Sequence, residues 1–83
     1  MNLVSPEQLK QLIQENLACQ HIEVSGDGRH FEATIVSDLF AGKLPVKRQQ
    51  LVYAVLGDKI ADGEVHAFSM KTYTPSQWEQ QNG

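Results

Sequence analysis

Three histidines and a single cysteine are the side chains in this sequence best suited to holding a metal ion. A neutral imidazole or a thiolate each offers one lone pair to a transition metal. His66 is the most suggestively placed. It lies in the run Gly63-Glu64-Val65-His66-Ala67-Phe68-Ser69-Met70-Lys71-Thr72-Tyr73-Thr74-Pro75, rich in valine, threonine and aromatic residues, opened by glycine and closed by proline. That composition reads as a strand. His66, Phe68 and Met70 share one parity, which sets the imidazole beside two large apolar side chains at the rim of a core. Such a histidine is either a half-buried packing residue or a ligand, and ligation needs a second donor nearby. No Ser/His/Asp or Cys/His nucleophile pair stands out in the sequence, so an enzyme is not expected.

The elements that would position these groups follow in chain order. Ser5-Pro6-Glu7-Gln8 is a helix start, with a capping serine, proline first and glutamine to close a capping box. Val4 can staple onto Leu9. Leu9, Leu12, Ile13 and Leu17 recur at helical spacing, predicting a helix from about Pro6 to Ala18. Cys19 is expected at the helix end, packed in the core. Ile22 and Val24 alternate with polar residues as a first strand, and Gly26-Asp27-Gly28 makes a turn. Phe31, Ala33 and Ile35, alternating with Glu32, Thr34 and Val36, form the second strand of a hairpin. Leu39 and Phe40 are expected to plug the core, and Gly42 to end a single turn. A second helix spans Val46 to about Asp62, with Val52, Leu56 and Ile60 in one row and Tyr53 and Val55 flanking it; Gly63 stops it. After the third strand, Thr74-Pro75 starts a short helix in which Trp78 folds back on the sheet, and Gln80 to Gly83 are expected to fray.

A strand–helix–strand connection within one sheet is normally a right-handed crossover between parallel strands. The second and third strands then begin at the same edge of the sheet, His30 at the head of one and His66 at the head of the other. His21 and Cys19 precede a strand running the opposite way and fall at the far edge. Neighbouring strands lie about 4.8 Å apart, so two imidazoles at one edge can converge on a centre with bonds of roughly 2 Å. Two histidines leave such a site short of ligands. Asp27 is a third candidate, and a partner could supply the rest. The alternative is two unrelated histidines.

The chain is long enough for one small domain, residues 1–83 with an ordered core of about 5–78. Its 41% hydrophobic and 20% charged residues are ordinary for a folded globular protein. No apolar run approaches the ~20 residues of a membrane helix and the N-terminus lacks a signal-peptide pattern, so a cytoplasmic location without membrane association is expected. One cysteine excludes an internal disulfide. The net charge of −3 argues against non-specific nucleic-acid affinity. Lys43, Lys47 and Arg48 form the only local basic group, read as a solvated face with a docking role.

Several stretches together resemble the BolA-like family: Phe40-x-Gly42-Lys43, Val46-Lys47-Arg48, Val52-Tyr53, and above all Val65-His66-Ala67-Phe68-Ser69-Met70-Lys71 with Thr74-Pro75. The hairpin Val24–Phe31 and the run Lys47–Tyr53 are similar to the bacterial IbaG branch. The resemblance runs from about Ser5 to Trp78. It implies an α/β (α+β) domain like a class II KH domain, αββ(α)αβ, with a three-stranded mixed sheet, helices on one face and a short C-terminal helix. It also implies a monothiol glutaredoxin partner and a shared [2Fe–2S] cluster. The glutaredoxin and glutathione would each give a thiolate, and this chain histidine, at His66 and His30; mixed Cys/His ligation raises a cluster's potential. The isolated chain, a monomer or weak homodimer, would carry no cofactor. Ligation needs neutral imidazole, which titrates near ~6.5 when unperturbed, so mild acid should release the cluster. Family members are also described as transcriptional regulators, which implies possible DNA contact by Lys43, Lys47, Arg48 and Lys71. Two departures stand out. Arg48-Gln49 replaces a frequent Arg-His pair, and Gly42-Lys43-Leu44-Pro45 lacks the second glycine of a KH GXXG loop. A metal-free interaction module is the third reading.

Overall fold

The computed structural model describes residues 5–28, 30–61 and 67–82, the side chains of 58–61 excepted. Helix α1, Pro6–Asn16, begins as its sequence dictates. The Ser5 side chain accepts from the Gln8 amide, and the Gln8 side chain accepts from the Ser5 amide. Leu9, Ile13 and Leu17 form its buried stripe. The helix stops two residues short of Ala18 because Leu17 turns extended, at φ −143° and ψ 119°.

Strands β1, His21–Gly26, and β2, His30–Val36, are antiparallel and pair His21 with Val36 through Gly26 with Phe31. A Cβ on Gly26 would meet the His30 carbonyl at 2.5 Å and the Phe31 ring at 2.6 Å, so the hairpin closes only around glycine there. Gly28 takes φ 100° in the turn. A 3₁₀ turn, Asp38–Phe40, then leads to helix α2, Pro45–Ala61, and to strand β3, Ala67–Tyr73. Strand β3 is parallel to β2, pairing His30 with Ala67 through Val36 with Tyr73. The expected hairpin, crossover and mixed three-stranded sheet are all present, in the order β1-β2-β3. The staple at Val4, the helix stop at Gly63, the strand opening at 63–66 and the packing of Ile60 lie outside the described residues.

Helices α1 and α2 cover one face of the sheet. Their stripes meet Ile22, Phe31, Ala33 and Ile35 in one core with Phe40, Val52 and Leu56, and Phe68 and Met70 pack against its margin. Leu39 departs from expectation: it is 46% exposed while Phe40 is fully buried. The turn at this point is a single tight one, closed by the Ala41 amide on the Asp38 carbonyl, with the Leu39 amide held by the Ser37 hydroxyl. Adjacent residues of so short a turn point in different directions, and only one can enter the core.

Helix α3, Pro75–Asn82, covers one end of the other sheet face. Trp78 does fold back, its ring stacked 4.9 Å from His21 and tilted 5.4 Å from Tyr73. Val36, which pairs with both His21 and Tyr73, is thereby buried, although its parity belongs to the polar face. The helix continues through Asn82 where fraying from Gln80 was expected. The Thr74 hydroxyl accepts from the Gln77 amide, the Gln77 side chain accepts from the Thr74 amide, and Asn82 donates to the Trp78 carbonyl.

Candidate functional site

The hairpin turn presents His30 at one end of the sheet. Its backbone amide donates to Asp27 Oδ1 at 2.9 Å, and the Asp27 amide donates to the His30 carbonyl at 3.2 Å. The turn is thus pinned from both sides. The imidazole Nδ1 lies 3.7 Å from Asp27 Oδ2, and the His30 side chain is 66% exposed. In the neighbouring strand the register partner of His30 is Ala67, the residue that follows His66 in the chain. His66 itself, with its parity to Phe68 and Met70, lies outside the described residues.

His21 and Cys19 lie at the far end. His21 pairs with Val36, six residues along β2 from His30, which is about 20 Å of strand. Its Nε2 is 2.6 Å from Glu23 Oε2, and its ring is stacked on Trp78. The half-buried Cys19 thiol donates to the Leu17 carbonyl at 3.1 Å, and burial pushes its pKa above the ordinary thiol value. Among the described residues no three of His, Cys, Asp and Glu come together to hold a metal ion. His30 with Asp27 suits one nitrogen ligand and its carboxylate support, not a self-contained centre.

The basic group does not stay together. Lys43 and Lys47 are exposed, but Arg48 is only 8% exposed. Its Nε donates to the Lys43 carbonyl at 2.9 Å, and its Nη1 donates to the Thr72 carbonyl at 3.2 Å and to Gln77 Oε1 at 2.9 Å. The guanidinium sits 5.8 Å from the Phe40 ring centroid. Arg48 is therefore a clamp joining α2, β3 and α3, in place of the solvated cation expected. The spacing carried that signal: Arg48, Val52 and Leu56 are i, i+4 and i+8, one row of the buried face. Lys71 is exposed on the outer sheet face, beside a shallow depression of about 330 Å³ that Glu23, Glu32 and Thr34 also line.

The element order and parallel third strand define a small α+β domain of one recognisable class. The chain belongs to the BolA-like family, whose model, described as BolA-like protein, matches residues 5–77. It is 44% identical over 71 residues to the acid stress protein IbaG of Escherichia coli strain K12, covering 86% of this chain and 84% of that one. It is 39% identical over 77 residues to the DNA-binding transcriptional regulator BolA of Vibrio cholerae, covering 93% and 69% of the two chains. The crystal structure of a Bol-like protein from Babesia bovis superposes with a TM-score of 0.86 at 32% identity, covering 99% and 98%.

Proposed function

We propose that this protein is a non-enzymatic cytoplasmic adaptor in iron–sulfur cluster assembly or trafficking. It pairs with a monothiol glutaredoxin and contributes His30 and His66 to a [2Fe–2S] cluster whose other ligands are the glutaredoxin cysteine and a glutathione thiolate. The observation that carries this reading is the parallel register, in which an exposed His30 stands opposite the residue next to His66. The Asp27 carboxylate, 3.7 Å from Nδ1, helps to orient the ring. When bound, the cluster would supply a one-electron centre and a transferable cargo; the chain's own part would be to present imidazole at the sheet end where His30 is exposed. Mixing the protein with a monothiol glutaredoxin, iron, sulfide and glutathione is expected to give a heterodimer with a visible spectrum unlike that of the glutaredoxin alone. His30→Ala and His66→Ala should each alter it, and an unchanged spectrum in both would overturn the ligand assignment. The name of the Escherichia coli relative supports a role in acid stress, which survival of a deletion strain at low pH tests.

A second reading, DNA binding, is favoured by the name of the Vibrio cholerae relative and by exposed Lys43 and Lys47. It predicts salt-dependent duplex binding lost on charge reversal of those two lysines. Absence of a gel shift at low salt removes it.

A further inference from the structure

The outer face of α2 is built of different material from the rest of the surface. Val46, Gln50, Ala54 and Gly57 are exposed along it at helical spacing, with Tyr53 alongside. Leu44, immediately before the helix, is 71% exposed and Val46 54%. From Leu39 to Gly57 the sequence contains no aspartate or glutamate, in a chain whose net charge is −3. The outward cations of this stretch are Lys43 and Lys47, since Arg48 is turned inward. The first turn of α2 has no acidic residue, and Lys47 adds to the positive end of the helix where a carboxylate would offset it.

Gly57 adds an independent observation. A Cβ there would meet nothing within 4 Å, and its φ is not in the left-handed region. Among the described residues nothing requires a glycine there, although glycine weakens a helix interior.

We propose that the strip from Leu44 to Gly57 is a docking face for an acidic amphipathic helix of a partner protein. The strip from Val46 to Gly57 is about three helical turns long. Ala54 and Gly57 allow a second helix to approach to the 8–10 Å axis separation of packed helices. The partner's apolar residues would cover Leu44 and Val46, and its carboxylates would meet Lys43 and Lys47. Exposed leucine and valine with only two outward lysines fit a protein better than a nucleic acid, whose binding rests on many phosphate contacts. Arg48 ties the start of α2 to Thr72 near the end of β3, so the basic tip lies at the far end of the sheet from His30. The proposal stands on α2 alone and does not depend on the cluster.

The test is amide shift mapping of the full-length ¹⁵N-labelled chain. The probe is a synthetic peptide of about four helical turns, leucine and alanine on one face and glutamate on the other. Comparison probes are the same peptide with lysine for glutamate, a short DNA duplex, and phosphatidylglycerol vesicles. Shifts are expected along residues 44–57 with α1 unmoved, and roughly tenfold tighter binding of the glutamate than of the lysine peptide. Lys43→Glu with Lys47→Glu should invert that preference. Ala54→Glu, and independently Gln50→Glu, should abolish binding of the glutamate peptide while melting temperature stays near that of the parent; Gln14→Glu on α1 should change nothing. Equal shifts on α1, or binding indifferent to both α2 substitutions, would overturn the site. A stronger response of the same residues to the duplex or the vesicles would overturn the partner class.

Discussion

Helices α1 and α2 lie on the same face of one sheet and bury equivalent stripes, Leu9 and Ile13 on the first, with Leu17 just past its end, and Val52 and Leu56 on the second. Their outer faces share almost nothing. Helix α1 turns Glu7, Lys10, Gln11, Gln14 and Glu15 to solvent, whereas the described side chains that α2 turns out include Val46, Lys47, Gln50, Tyr53, Ala54 and Gly57, none of them acidic. Helix α1 also carries Glu7 at its positive end, and α2 carries no acid there. The inner stripes are alike because one core imposes one requirement on both. The fold constrains the outer faces less, through few contacts such as the Tyr53 hydroxyl on the Phe68 carbonyl. Solvent suffices for α1, and the proposed docking would account for the face of α2.

The comparison breaks most readily at the inner stripes. Leu9→Ala and Leu56→Ala should each destabilise by about 3 kcal/mol, since both side chains are fully buried. Denaturant midpoints would check this, and a difference greater than twofold would deny the equivalence. Next comes Arg48→Ala, expected to cost about 2 kcal/mol because the Lys43 and Thr72 carbonyls and the Gln77 side chain lose their donor. Lys47→Ala, one residue away, should stay within about 0.5 kcal/mol. Equal effects of the two would return Arg48 to the solvated face. Removing the α1 cap with Ser5→Ala should cost about 1 kcal/mol. Gly57→Ala should stabilise the free protein by about 0.5–1 kcal/mol, the sign opposite to most substitutions. A loss in thermal midpoint there would mean the fold does use that glycine.

The smallest expected effect concerns Cys19. Burial raises its folded pKa above the unfolded value, so the thiol's contribution is complete at neutral pH. It is lost as pH rises past the ordinary thiol pKa, where the unfolded chain ionises first. Alkylation by iodoacetamide near neutrality should be slower than for the unfolded chain, with the gap widening as pH passes the unfolded value and narrowing above the folded one. Equal rates throughout would place the thiol in water.

The residues that carried the strongest local signals were read correctly because local chemistry decides them. Ser5-Pro6-x-Gln8 caps a helix whatever lies around it, and Gly26-Asp27-Gly28 turns a chain between alternating strands. The parallel direction of β2 and β3 was expected from the usual crossover, whereas their adjacency, which sets His30 opposite the head of β3, came only with the structure. Leu39 and Arg48 were not legible in the same way. Hydropathy places leucine inside and arginine outside, but the 3₁₀ turn had room for one side chain and Phe40 took it. The pocket between α2 and α3 offered the guanidinium three acceptors.

What this sequence determined by itself is the list and polarity of its elements, since capping, turn chemistry and alternation act over a few residues. Only the tertiary structure decided which polar-face residue α3 would bury, at Val36, and which cation would be internal. Those outcomes depend on which surfaces meet across the chain, and burial is a property of the pair in contact, not of either residue alone.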